Sequence, residues 1–434
     1  MYAVSSIGAS LQVNEEKFVS KNKEYLSVIS KKNKVDAYLN YKNQESVNYI
    51  IPGNSIVNFN VEYKDFYQTS KNIDQLKGSL SSLELIQQDH LIFGRMPEHD
   101  YEIVIDRLTI KNMYESNDNL AQMAGLNDIE DMLNRKVTIK NMEDFTIVGI
   151  VDQKSPSIYV NKNLMINIIS NSVDEEKSET NIIDYTLYQN DYVLKEGRLP
   201  EQDYEVIVNI INKESMPLNK TIKTEINGHK LTVVGYYTSK NNYDYYFVNN
   251  RTVEYNLVAT KGNLTIYPNN KENCLNEFRS LNLNIEDSYT QSKREYLKEN
   301  QENLKNSIFV ASVILIISLI EMFLMMRSSF LSRIKEVGIY RAIGVKKSDI
   351  YKMFMGEIIA ITTLASLPGL IIMAYILKTL STIKYLDGLF LINSTVLIIS
   401  IILVYGFNLL VGLLPVFNTI RKTPAQILSR HDLD

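Results

Sequence analysis

The sequence predicts an α+β domain with a duplicated β-rich unit, then a stalk helix, then an all-α three-helix transmembrane module. Three observations carry this. A thirteen-residue block, GRMPEHDYEIVID at 94–106, returns as GRLPEQDYEVIVN at 197–209, identical at seven positions. Three apolar runs, each long enough to cross a bilayer, all lie after residue 306. Ahead of them, SYTQSKREYLKENQENLKNS at 288–307 holds no Pro or Gly and leads directly into the first run.

Averages hide this division. With 434 residues, a net charge of −4, 45% hydrophobic and 22% charged residues, the chain has the composition of a soluble globular protein. That excludes disordered and low-complexity classes. Net negative charge argues against nucleic acid as a partner. The single cysteine, Cys274, excludes an intramolecular disulfide framework, and no Cys/His cluster suits zinc. Residues 307–434, however, carry twelve Lys/Arg and seven Asp/Glu, whereas residues 1–306 carry 34 and 43. An acidic part therefore precedes a basic, apolar one.

Taking the elements in chain order, the first residues, MYAVSSIGASLQVNEEKF, have neither the basic n-region nor the apolar h-region of an export signal. Alternation at 56–63 (IVNFNVEY) predicts a strand, and NIDQLKGSLSSLELIQQ at 72–88 a helix or turn. The two repeat units span about 86–170 and 182–262. In each, Gly-Arg-x-Pro makes a bend, because Gly tolerates positive φ and Pro fixes its own. Short β-branched runs follow: FTIVGIV at 145–151 and IYVN at 158–161, matched by LTVVGYY at 231–237 and YFVN at 246–249. The first copy is longer by 17 residues, in a segment around 112–134 that reads as helical. The Asp-Tyr-Glu of each turn is either a ligand site or a structural turn. The Tyr-rich stretch 236–247 is either a peptide- or glycan-binding surface or a sheet edge with high β propensity.

An α/β piece follows at 263–286: a strand at 264–267, a helix at 271–281 and a strand at 283–286. With residues 1–90 it predicts an α+β lobe beside the repeats. Asp287 or Ser288 can cap the stalk at 287–306. A helix from 288 to 326 is about 58 Å long, half of it outside a bilayer, and either transmits motion or is a plain linker. The spans are 307–326, 354–377 and 394–416, each near the twenty helical residues that cross about 30 Å of hydrocarbon. In the last, Gly406 and Gly412 allow close helix approach.

Charge orients the spans. Loop 327–353 has Arg327, Arg333, Lys335, Arg341, Lys346, Lys347 and Lys352 against Glu336 and Asp349, and the tail has Arg421, Lys422 and Arg430. Loop 378–393 has only Lys378 and Lys384. Basic residues favour the cytoplasmic side. The reading is a multi-pass plasma-membrane protein with residues 1–306 extracytoplasmic and the C-terminus cytoplasmic; with no export signal in view, either a membrane segment belongs upstream of residue 1 or the orientation is inverted. Cys274, if exposed, is a handle for testing that side.

Chemistry is sparse. There is no P-loop, GxSxG, HExxH or CxxC, and His90, His99, His229 and His431 are scattered. The chain reads as a non-enzyme. Loop 327–353 is more specific. Leu331, Ile334, Val337, Tyr340 and Ile343 recur at helical spacing with charge beside them, which suits a helix along the membrane surface. Gly344 breaks that helix, and Ser348 can cap the next. Glu321, within the first span, is costly if ionised; it faces a helix partner such as Asn408 or snorkels. Glu357 sits one turn inside the second span, where it reaches the interface.

The string Arg333-x-Lys335-Glu336-Val337-Gly338-x-x-Arg341-Ala342-Ile343-Gly344 resembles the signature loop of FtsX-like/MacB-type ABC transporter permeases. Glu357, Pro368-Gly369 in the second span, Pro415 closing the third, and TPAQIL at 423–428 fit the same pattern. The resemblance covers 307–434 and, through the G-R-x-P-E blocks, the outer domain. It implies that loop 327–353 docks on a separate ABC ATPase subunit. Glu336, Arg341, Gly344, Val345, Lys346, Lys347, Asp349 and Ile350 would then form the coupling surface. Glu336 and Arg341 pair with that partner, with each other, or with solvent. The chain itself binds no cofactor; ATP and Mg belong to the partner. A second permease subunit and membrane lipid are further partners. Pro368 should kink its helix. Two functions stay open: export or extraction of a peptide, lipopeptide or lipoprotein, or transmembrane signalling to an extracellular partner such as a cell-wall hydrolase.

Overall fold

The computed structural model describes residues 1–30, 33–63, 73–86, 88–116, 120, 121, 123–172, 182–239, 244–382, 389–421 and 423. In chain order the elements are α1 (Tyr2–Ser10), β1 (Leu26–Val28), α2 (Val35–Lys42), β2 (Val47–Pro52), β3 (Ile56–Val61), β4 (Gln75–Ser82), β5 (Leu91–Gly94), β6 (Glu102–Asp106), α3 (Arg107–Tyr114), β7 (Lys136–Thr138), β8 (Phe145–Val151), β9 (Ser157–Val160) and α4 (Met165–Asn171). There follow β10 (Ile182–Asp184), β11 (Tyr192–Gly197), β12 (Glu205–Asn209), β13 (Thr221–Ile226), β14 (His229–Ser239), β15 (Tyr246–Val248), α5 (Asn250–Thr260), β16 (Leu264–Pro268), α6 (Lys271–Ser280), β17 (Ile285–Asp287), α7 (Ser288–Ser332), α8 (Ile334–Ala342), α9 (Lys347–Ser381) and α10 (Ser394–Ile420). They fall into two compact units, 14–294 and 1–13 with 295–434.

In the first unit, β4–β9 and β10–β15 repeat one pairing scheme. β8 lies antiparallel to β5 and parallel to β6, as β14 does to β11 and β12. β9 lies antiparallel to β6 and parallel to β4, as β15 does to β12 and β10. The duplication thus includes a strand, β4 or β10, upstream of the shared sequence blocks. Even the bulge recurs, between Ile103 and Val104 and between Val206 and Ile207. In the first copy β3 pairs with both β4 and β7, and β7 with β8, so the sheet closes on itself. Among the described residues the second sheet has no counterpart of β3 and stays open.

The glycines of the repeated blocks face each other: Gly94 pairs with Gly149, and Gly197 with Gly235. Gly94 and Gly197 have φ of 77° and 79°. A Cβ on either would run into the opposite backbone, at the Val148 or the Val234 carbonyl. The glutamate of each repeated Asp-Tyr-Glu holds its own bend together. Glu102 takes Arg95 in a two-pronged ion pair, at 2.8 and 2.5 Å, and the Glu98 amide at 2.7 Å. Glu205 takes Arg198 and the amides of Glu201 and Gln202, both at 2.9 Å. The guanidinium of Arg95 beside Glu102, and that of Arg198 beside Glu205, hold each carboxyl down to about 2.

Segment 72–88, expected as helix or turn, contains strand β4 and a 3-10 turn at Leu83–Leu85. Leu76, Leu80 and Leu83 imitate a helical stripe, but β3 and β9 flank this strand and bury it from Gly78 to Ser82. Among its described residues the segment around 112–134 is mostly non-helical: α3 starts earlier, at Arg107, and ends at Tyr114, and a 3-10 turn follows at Ile129–Met132. The expected α+β lobe exists as a four-stranded sheet, β17-β1-β16-β2, but β3 and β4 belong to the first repeat's sheet instead. In the Tyr-rich stretch, Tyr236 and Tyr237 are core residues; positions 240–243 lie outside the described residues. Cys274 is fully buried, so it is no handle for a surface reagent.

The second unit holds α1, most of α7, and α8 to α10. Three of its helices are long and apolar enough to cross a membrane. The Ser6 and Ser307 hydroxyls bond at 2.7 Å, and Ser5 donates to the Leu391 carbonyl at 2.8 Å. Between α9 and α10, Thr363 and Tyr405 hydroxyls bond at 2.7 Å, and Asn408 donates to Thr362 at 3.3 Å. Asn408 is therefore engaged by Thr362, not by Glu321. Gly412 packs against Ile358 and Met326, whereas Gly406 has open space beside it.

Candidate functional site

The end of α7, helix α8 and the start of α9 form one structure. Arg333 leaves helical geometry (φ −111°, ψ 15°), so α7 ends and α8 begins anew. α8 ends in a Schellman turn: the Gly344 amide donates to the Arg341 carbonyl at 3.3 Å and the Val345 amide to Tyr340 at 2.9 Å. Gly344 takes φ 97°, which a glycine adopts without strain. Lys346, extended, starts α9. Ser348, expected as the cap, lies inside the first turn, because the chain turns into helix two residues earlier.

Under this turn Phe330, Val337, Ile350, Phe354, Val416 and Ile420 make a buried apolar cluster, with Val345 packed against it. Phe330 and Phe354 rings stand 5.0 Å apart, and the Arg333 guanidinium lies 5.1 Å over the Phe354 ring. Arg333 also pairs with Glu357, which accepts from Ser329 at 3.3 Å. Glu357, expected to reach the interface, is thus half-buried and paired. The two ends of the protrusion are tied by a cation, a carboxylate and an aromatic ring.

The other expected coupling residues separate by role. Val345 and Ile350 pack inward. Glu336, Gly344, Lys346, Lys347 and Asp349 are exposed, with Asp349 3.8 Å from Lys352. Arg341 is half-buried, with its Nε unpartnered; no ion pair joins it to Glu336 among the described residues. The expected surface stripe does not form. Ile334 and Val337 face the cluster, whereas Leu331, Tyr340 and Ile343 are exposed, since Leu331 belongs to α7 and Ile343 lies beyond the end of α8. Ile343 is 73% exposed at the tip, beside Lys346 and Lys347. Its exposure is what the sequence reading missed; the glycine next to it was the available signal. Glu321 is exposed on α7, and Pro368 and Gly369 are exposed inside an unbroken α9. Pro415 is buried inside α10, which continues to Ile420 rather than closing at the proline. Of TPAQIL, positions 424–428 lie outside the described residues.

Residues 308–424 match the family model of the FtsX-like permease C-terminal domain. No curated protein matches the chain. Among solved structures, the periplasmic region of MacB from Actinobacillus actinomycetemcomitans aligns at 15% identity over 38% of this chain and 79% of its own, with a TM-score of 0.21. The extracellular domain of the noncanonic ABC-type transporter YknZ from Gram-positive bacteria aligns at 11% identity over 36% of this chain and 85% of its own, with a TM-score of 0.22. The matched residues lie within the second unit and include α8 and α9.

Proposed function

We propose that the chain is the permease subunit of an ABC transporter, one that couples ATP hydrolysis on a separate ATPase chain to movement of residues 14–294 outside the cytoplasm. One observation carries the reading: a tip with an exposed Ile343, two lysines and a Schellman turn, set on an apolar cluster within the segment that matches FtsX-like permeases. An exposed apolar side chain rimmed by charge is the anatomy of a docking contact. Glu336, Arg341, Gly344, Val345, Lys346, Lys347, Asp349 and Ile350 form or support that contact, and ATP with Mg stays on the partner. A second permease subunit, of the same or another chain, completes the assembly in lipid. The cargo is a peptide, lipopeptide or lipoprotein.

The test is to co-reconstitute the chain with its ATPase and measure ATP turnover. Gly344→Pro with Lys346→Glu should cut stimulation by about tenfold or more while membrane insertion stays intact. Unchanged turnover in the inserted variant overturns the docking role.

A further inference from the structure

A cavity of about 600 Å³ opens inside the first unit. Its wall is shared by β2, by the first repeat at Asp100 and α4, and by the second repeat at Asp184 and α5. Its volume is in the range of small-molecule sites. Three carboxylates and two lysines line it, and they are not equivalent. Glu254 has its cation, Lys42, at 2.7 Å, and also takes the Tyr38 hydroxyl. Lys162 sits 5.8 Å over the Tyr49 ring and 3.9 Å from Glu84.

Asp184 is different. It is 2% exposed, and among the described residues its carboxylate takes only neutral donors: Asn167 at 3.1 Å, Asn250 at 3.0 Å and the Thr186 amide at 3.0 Å. Among the described residues no lysine or arginine pairs with it. Buried carboxylates are normally matched by a cation, since hydrogen bonds from neutral groups leave the charge uncompensated. Asp100 is exposed and takes the Asn161 amide group at 2.6 Å, and among the described residues no cation pairs with it. Beside these two acids lies an apolar wall that includes Ile50, Ile51, Leu164 and Leu187.

Among the described residues β2 is also an edge strand, paired with β16 alone. The Gly53 amide bonds Asn263 across that ladder at 2.7 Å. By the alternation of an antiparallel pair, Ile51 and Tyr49 then face β16, and Ile50 turns its amide and carbonyl outward. The Tyr38 hydroxyl reaches that carbonyl only at 3.5 Å. Ile50 and Ile51 are themselves 4% and 2% exposed, so only their cavity-facing atoms meet a ligand, and the uncompensated acid beside them suits a narrow chain that begins with an ammonium group.

We propose that this cavity binds the free amino terminus of a short apolar peptide, its ammonium on Asp184 and Asp100 and its body against Ile50, Ile51 and Leu187. The proposal goes beyond the permease reading, and its test stands without it. The full chain in detergent is titrated calorimetrically with Leu-Leu-Ala-amide, with its N-acetylated form and with butylamine. Leu-Leu-Ala-amide should bind, acetylation should weaken it by at least about tenfold, and butylamine should bind far less than the peptide. Asp184→Asn, which keeps the carbonyl that receives the Thr186 amide, should lose binding to the same degree. The acetylated and free peptides compared on the unaltered chain keep the test valid if that variant misfolds. Equal binding of both peptides, or no binding of the free one at millimolar concentration, overturns the proposal. Butylamine binding as well as the peptide would overturn the peptide assignment and leave an amine site.

Discussion

At the residue scale, the two copies disagree most informatively at one position. Asp106 and its counterpart Asn209 both cap the segment after the third strand of their copy, accepting from Leu108 at 2.9 Å and Ile211 at 3.2 Å. Asp106 is fully buried, and burial pushes its carboxyl up from 3.8 to about 7, with Asp152 nearby adding to the rise. The folded chain therefore holds that proton more tightly than the unfolded one. The stability this contributes is complete below about 3.8 and is lost as pH rises to about 7. Asp106→Asn should flatten the fall in unfolding free energy between these pH values, by roughly 1–4 kcal/mol. Chemical denaturation at several pH values reads it, and an unchanged slope refutes it. The sequence displayed both residues in the same repeated block but not their burial, which depends on strands that pair from elsewhere. The Asp-Tyr-Glu turn left a ligand reading open for a similar reason. Arg95 and Glu102 meet across a bend, a spacing that neither helical nor strand periodicity reveals.

At the element scale, long apolar helices were legible because a bilayer demands length and composition together. Their contacts were less so. Gly406 and Gly412 look alike in sequence, yet only Gly412 touches Ile358 and Met326. Gly412→Leu should therefore lower thermal stability in detergent by about 1–3 kcal/mol, as overpacked sites do, while Gly406→Ala should change it little. Equal effects would refute the packing assigned to Gly412. Two elements were misread for one physical cause. The leucines of 72–88 and the stripe from Leu331 to Ile343 both match a helical period, but periodicity cannot see an interruption imposed from outside. In the first case two neighbouring strands claim the backbone. In the second Arg333 leaves the helix to pair with Glu357.

For the whole molecule, charge asymmetry was the decisive sequence signal, since the two units differ in sign as well as hydropathy. The closure of the first sheet was invisible, because it needs β3 to pair with β7 across more than seventy residues. The proposed orientation has a direct test that Cys274 cannot supply. Ile211 is 76% exposed, so Ile211→Cys should react with an impermeant thiol reagent on intact cells. Labelling that requires permeabilisation would place residues 14–294 on the other side. The paired glycines carry a different message, about history. Each copy brings two backbones so close that a side chain on either partner collides, and no single substitution on the facing strand relieves it. After the doubling, these positions had no viable one-step path away from glycine. The copies differ instead in the connection between the blocks, by 17 residues. At the four glycines the close approach of two backbones leaves no room for any other residue in either copy.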